Sequence, residues 1–102
     1  MVEYDISVCY GVIITDEELR EIKNLFPNDD AIDDFSDRYL RQIDSWTGGD
    51  WFLGLYHSFE APIIPIKAIR FDKAELEELE ELIQQYNIPN WSPQSYIIQF
   101  CY

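Results

Sequence analysis

The chain has 102 residues, with 20 Asp and Glu against 7 Lys and Arg and a formal net charge of −13. A hydrophobic fraction of 47% and an aromatic fraction of 16% are those of a folded domain, so the charge does not signify disorder. The same charge excludes a nucleic-acid groove lined by Lys and Arg, and no apolar run approaches the roughly 20 residues that a membrane helix needs.

Length and pattern predict one α+β domain over residues 1–102. Its expected architecture is a small, mostly antiparallel sheet of three to four strands with three helices, in the order βααβ(β)αβ. The acidic start Met1-Val2-Glu3-Tyr4-Asp5 is unlike a signal peptide, and a cytoplasmic location is the expectation. Cys9 and Cys101 lie in apolar, strand-like runs and read as reduced core residues, with a disulfide between them as the alternative.

Taken in order, Glu3 to Ile14 alternates as a strand. Tyr4, Ile6, Val8, Tyr10, Val12 and Ile14 share one face, and Asp5, Ser7, Cys9 and Gly11 the other. Thr15-Asp16-Glu17-Glu18 carries a capping-box signature, and its acids suit the positive end of a helix dipole. A helix over 15–26 follows, with Leu19, Ile22, Leu25 and Phe26 as its buried stripe and Pro27 as its stop.

Asn28, Asp29 and Asp30 offer caps for a second helix over 30–46. Ile32, Phe35, Tyr39, Ile43 and Trp46 recur along it at three- and four-residue spacing, and Gly48 is a natural terminator. The aromatic run Trp51–Phe59 after the turn Gly48-Gly49-Asp50 predicts a central strand. Trp51, Leu53, Leu55, His57 and Phe59 would face the helices, with Phe52, Gly54, Tyr56 and Ser58 opposite. Pro62 and Pro65 confine Glu60–Arg70 to an extended crossover with an edge segment at Ile64, Ile66 and Ala68. Asp72 caps a third helix to about Tyr86, and Ser95–Tyr102 closes the chain as a strand.

No motif names a reaction. The single histidine, His57, sits in the aromatic strand and reads as a partly buried structural residue. Neither thiol has a nearby basic residue to activate it, and no Cys spacing matches a zinc site. The run Asp29, Asp30, Asp33, Asp34, Asp37 fits no EF-hand register, because the sixth position is Asp34 or Arg38 where glycine is required. Glycine-rich phosphate loops are absent, and no pair among the 20 acids is marked out as a hydrolase dyad. No cofactor and no metal is expected.

The acids themselves are patterned. Asp30, Asp34 and Asp37 recur at four and three residues and line one face of the second helix, with Asp29 and Asp33 beside them. On the predicted helix Asp44 continues this row, for a span of about 22 Å from Asp29. Glu77, Glu78 and Glu81 belong to a second dense group on the third helix. On the second and third helices the clear i,i+4 pairs are Asp34–Arg38, Asp37–Arg41 and Lys73–Glu77, so most of these acids repel one another. Tyr39, Trp46, Trp91 and Tyr102 lie beside the rows as candidate interface anchors, although each taken singly reads as core.

The small acidic α+β chain, with its Thr15-Asp16-Glu17-Glu18 helix start, Gly48-Gly49-Asp50-Trp51 turn and strand-like C-terminus, resembles phage-encoded anti-defence proteins, including anti-CRISPRs. It also resembles the acidic immunity proteins that neutralise nuclease toxins. The first resemblance implies a non-enzymatic inhibitor in the host cytoplasm. Such an inhibitor would occupy the basic channel of a CRISPR effector or other nuclease in place of DNA or RNA, without binding nucleic acid or membrane itself. The acid pattern, rather than the resemblance, gives its expected contacts: Asp29, Asp30, Asp33, Asp34, Asp37, Asp44, Glu77, Glu78, Glu81 and Trp46. The second resemblance implies an antitoxin against a bacterial nuclease, and a carboxylate- or metal-dependent small enzyme is the rival from another class.

Overall fold

A computed structural model describes residues 4–45, 48–58 and 71–101. The elements run β1 (Tyr4–Ile14), α1 (Asp16–Lys23), α2 (Asp29–Tyr39), β2 (Leu40–Gln42), β3 (Trp51–Ser58), α3 (Lys73–Gln85) and β4 (Gln94–Cys101). The described strands form one sheet in the order β2-β3-β1-β4, with every neighbouring pair antiparallel. The fold is therefore α+β, as the sequence pattern implies.

Each helix starts where a side chain satisfies a free backbone amide. Thr15 accepts from the Glu18 amide at 3.2 Å while the Glu18 carboxylate accepts from the Thr15 amide at 3.2 Å, the reciprocal capping box. Asn28 caps α2 through the Ala31 amide and Asp72 caps α3 through the Ala74 amide, each at 2.8 Å. Removing the first of these, as Thr15→Ala, is expected to destabilise the protein by about 1 kcal/mol, read as a lowered urea midpoint at unchanged slope.

The second helix departs from the expected boundary. It stops at Tyr39, and Leu40, Arg41 and Gln42 pair with Leu53, Phe52 and Trp51. The apolar spacing that suggested a helix to 46 is shared between two elements: Phe35 and Tyr39 are buried from α2, and Leu40 is buried from β2. Pairing with the aromatic strand prevails over the helical period here. Gly48 consequently terminates no helix; with φ of +74° it and Gly49 (φ +97°) form the turn into β3. Trp46, Phe59, Tyr102 and the proline-bearing segment, with the edge segment expected at Ile64, Ile66 and Ala68, lie outside the described residues. The fourth described strand is β2.

Each face of the sheet contributes a buried cluster. Leu53 and Leu55 of β3, Ile14 of β1 and Leu40 pack with Leu19 and Ile22 of α1, Phe35 and Tyr39 of α2, and Leu79 and Ile83 of α3. This is the face that Trp51, Leu53 and Leu55 were expected to present to the helices. On β1 the outcome is partly reversed, since Tyr4 and Ile6 are 59% and 46% exposed whereas Ser7 and Cys9 on the opposite face are sealed.

Curvature explains that reversal. Cys9, Phe52, Ile98 and Phe100 form a second buried cluster on the side away from the helices. The Arg41 guanidinium of β2 lies 4.2 Å from the centre of the Phe100 ring of β4 and bonds Asp5 of β1 at 2.7 Å. In a flat sheet β2 and β4 would stand three strand spacings, about 14 Å, apart. The sheet instead curls around this cluster until its edges meet. The Cys101 amide donates to the Ile43 carbonyl at 2.9 Å and the Ser45 amide to the Cys101 carbonyl at 3.0 Å, joined by a parallel bridge from Asp44 to Cys101. The bend passes through Gly11 and Gly54, which face each other across β1 and β3. A Cβ on Gly11 would collide with the Leu53 carbonyl oxygen and one on Gly54 with the Tyr10 carbonyl oxygen.

Candidate functional site: an acidic face on two helices

The apolar stripe of α2 (Ile32, Phe35, Tyr39) is turned to the sheet, so residues half a turn away are turned outward. Asp30, Asp34 and Asp37 occupy that outward position and, with Asp29 and Asp33, are all exposed. None of these five forms an ion pair among the described residues. On α3 the inward residues Leu76, Leu79 and Ile83 leave Glu75, Glu77, Glu78, Glu80 and Glu81 exposed. The two helices flank one another. Arg38 of α2 reaches Glu78 of α3 at 2.8 Å, and the ring of Phe26, just before α2, packs at a tilt against Phe35 and against Tyr86 just after α3. The carboxylate-rich surfaces of the two helices thus meet at a seam marked by the Arg38–Glu78 pair.

Two cations do not sit where the sequence spacing put them. Arg38 pairs across to Glu78 and Arg41 with Asp5, so neither expected pair, Asp34–Arg38 or Asp37–Arg41, is made. Arg41 belongs to β2, where side chains alternate across the sheet, and its partner at Asp37 is lost with the helical register. The third expected pair, Lys73–Glu77, is present at 3.9 Å between highly exposed groups. Asp44 leaves the row altogether: it is half-buried beyond β2 and tied to β4 by the bridge to Cys101. The α2 row therefore runs along an 11-residue helix of about 16 Å, shorter than the 22 Å expected with Asp44. Trp46 lies outside the described residues. Tyr39 is 2% exposed and Trp91 is packed against the helical core, so both serve packing.

Both side chains of the Arg38–Glu78 pair are substantially exposed, at 39% and 51%, so water screens it and its net worth is below about 1 kcal/mol. Arg38→Gln should accordingly shift the urea midpoint by no more than about 0.5 kcal/mol of stability. The same change removes, among the described residues, the one cation that links the two helices.

A cavity of about 280 Å³ opens at this seam, lined by Arg38, Tyr39, Leu55, Tyr56, His57 and Glu75. It lies where β3 runs on beyond β2, whose pairing ends at Leu53. The Tyr39 hydroxyl is sealed from solvent without a hydrogen-bond partner, a condition that costs about 1–3 kcal/mol. Burial pushes the Tyr39 phenol above its ordinary range; Arg38 pulls it down, and Glu78, Glu75 and Asp34 push it up again. His57 is exposed rather than partly buried, with its ring stacked on Phe71 at 5.2 Å. The cavity and the place of Glu75 in it escaped the sequence reading, because β2 was hidden inside an apparent helix.

The cysteines are free thiols. Burial raises the Cys9 thiol to about 11, against the pull of Arg41, so it stays protonated and a poor nucleophile at neutral pH. Among the described residues no cluster of three or more His, Cys, Asp or Glu is arranged to hold a metal ion. No described helix is long and apolar enough to cross a membrane. Comparison with known protein families, with curated proteins and with solved structures finds no match. The site must be read from its own chemistry.

Proposed function

We infer that this protein is a non-enzymatic inhibitor that covers the basic nucleic-acid-binding surface of a nuclease or related effector. The observation that carries the reading is the exposed carboxylate surface of two helices tied to one another: five aspartates on α2 and five glutamates around α3, linked by the Arg38–Glu78 pair. A surface shaped by folding stability alone would alternate charge to gain i,i+4 pairs. Here the acids on α2 are left to repel one another, and a basic partner would relieve that repulsion. Proteins that hold nucleic acid present Lys and Arg along a groove, and a compact face of closely spaced carboxylates competes for the same groove.

The finer assignment we propose is a phage-borne anti-defence protein of the anti-CRISPR kind; a nuclease toxin's immunity protein would present the same chemistry to the same type of groove. Among the described residues the seam cavity has Glu75 as its one lining carboxylate, which supports a binding role over two-carboxylate hydrolysis. Affinity capture from a host lysate with the intact chain tests the reading. The expected prey is a basic nucleic-acid-binding protein that elutes as salt rises from 0.1 to 1 M, where the Debye length falls from about 10 to 3 Å. An acidic or neutral prey held equally at both salt concentrations would refute it.

A further inference from the structure

Only one of the two edges of the described sheet is guarded. Strand β2 is three residues long and has Arg41 at its middle. Strand β4 runs for eight residues with no charged side chain, no proline and an unbroken register against β1. Sheet edges are ordinarily blunted by charge, proline, a bulge or shortness, and β4 has none of these. Its Ile97 is 77% exposed, and on the same face of neighbouring β1 Ile6 and Tyr4 are 46% and 59% exposed.

The C-terminal end of β4 shows which of its backbone groups point outward. The Cys101 amide and carbonyl are turned away from β1, to Ile43 and Ser45. Alternation along an antiparallel strand turns Gln99, Ile97 and Ser95 the same way. Among the described residues no hydrogen bond reaches the outward amides and carbonyls of these three, and no further strand lies beyond β4. The open stretch is bounded at both ends. Cys101 is already engaged, and Pro93, at the next outward position, has no N–H to donate. Ile97 is its centre.

We propose that this edge pairs with the same edge of a second copy of the chain, antiparallel across a two-fold axis at Ile97. In that register Ile97 of one copy faces Ile97 of the other and Ser95 faces Gln99, each facing pair exchanging two backbone hydrogen bonds. Val8 lies beside Ile97 on β1, so an apolar row crosses the joint from one copy to the other. Charge selects the occupant. The chain carries −13, and copies meeting through α1, α2 or α3 would set carboxylate against carboxylate, whereas β4 has no charge to repel its twin. A basic partner gains nothing electrostatic at this edge. The proposal goes beyond the inhibitor reading and does not rest on it, because α2 and α3 pack on β2 and β3 and stay open in the pair.

Sedimentation velocity of the intact chain, from about 5 µM to about 1 mM, tests the proposal. One strand pair is a small interface, so a reversible monomer–dimer equilibrium with a midpoint of about 0.1 mM is expected. Salt should tighten it by screening two acidic copies from each other, the opposite of its effect on capture of a basic partner, so the two readings fail separately. Ile97→Lys should weaken the dimer at least about tenfold, as charged edges do. Leu25→Lys, an equal change at a residue 41% exposed just after α1, should leave it unchanged. Both positions are exposed, and an unchanged urea midpoint checks that both variants fold.

Amide hydrogen exchange is the second readout. Ser95, Ile97 and Gln99 should slow only as concentration rises, whereas Tyr96 and Ile98, turned to β1, should be slow throughout. The proposal is overturned if the chain stays monomeric over the whole range, or if Ile97→Lys and Leu25→Lys act alike. Two further results would overturn it by naming another occupant. Slow exchange of the three edge amides already in the dilute monomer assigns the edge to a segment of the same chain. A lasting monomer that loses its captured partner on Ile97→Lys assigns the edge to a strand of that partner.

Discussion

Reversing Asp30, Asp34 and Asp37 together to lysine is expected to abolish binding to the captured partner, while alanine at any one of the three weakens it by no more than a few-fold. The asymmetry follows from magnitudes. One exposed Lys–carboxylate contact in water is worth at most about 1 kcal/mol, so no single aspartate on an open helix face can dominate. Three reversals do more than remove three contacts, because each new lysine faces a groove of like charge and such juxtapositions cost several kcal/mol in sum. The three residues lie opposite the apolar stripe of α2 and are exposed, so folding should survive the change. Removing mutual repulsion along α2 is expected to leave the urea midpoint unchanged or to raise it. Loss of binding with the midpoint retained or raised is the supporting result; retained binding would move the interface off this face.

The largest effect on the fold itself is expected at Gly54. Its φ of +154° is unfavourable for a side chain, and a Cβ would meet the Tyr10 carbonyl oxygen, then the Gly11 Cα at 2.7 Å and the Phe52 ring at 2.9 Å. Two of those obstacles are backbone in the middle of the sheet, so relief requires the paired strands to separate. Gly54→Ala should cost on the order of 3–5 kcal/mol, a large part of the stability of a domain this size. Gly49→Ala also stands at positive φ but meets nothing within 4 Å, so the cost there should stay near 1–2 kcal/mol. Urea unfolding of the two variants side by side checks the contrast. Equal costs would mean that close strand approach does not shape the sheet.

Local signals in this chain are legible where one residue determines one piece of geometry. Thr15 with Glu18, Asn28 and Asp72 each place a helix start to within a residue or two, because a cap is a contact between near neighbours in sequence. The strands at Tyr4–Ile14, Trp51–Ser58 and Gln94–Cys101 are equally plain in the alternation and the aromatic content. The hidden parts are those decided at long range. Residues 40–42 carry a helical period but pair with β3, and only the tertiary contact shows which pattern prevails. Arg41 looks like an i,i+4 partner for Asp37 until the curl of the sheet carries it over Phe100 and onto Asp5. The acids of α2 were visible as a row, yet their union with those of α3 depends on how two helices lie on a sheet, which Arg38 and Glu78 record and no spacing does.

The most direct measurement of the central claim is a competition between this protein and nucleic acid for the captured partner. Labelled DNA or RNA is bound to the partner, and the intact chain is titrated in while fluorescence anisotropy follows the label. Nucleic-acid mimicry predicts stoichiometric release of the label, an apparent affinity that falls as salt rises, and no release by the chain carrying the Asp30, Asp34 and Asp37 reversals. A ternary complex in which each ligand keeps its full affinity would contradict it.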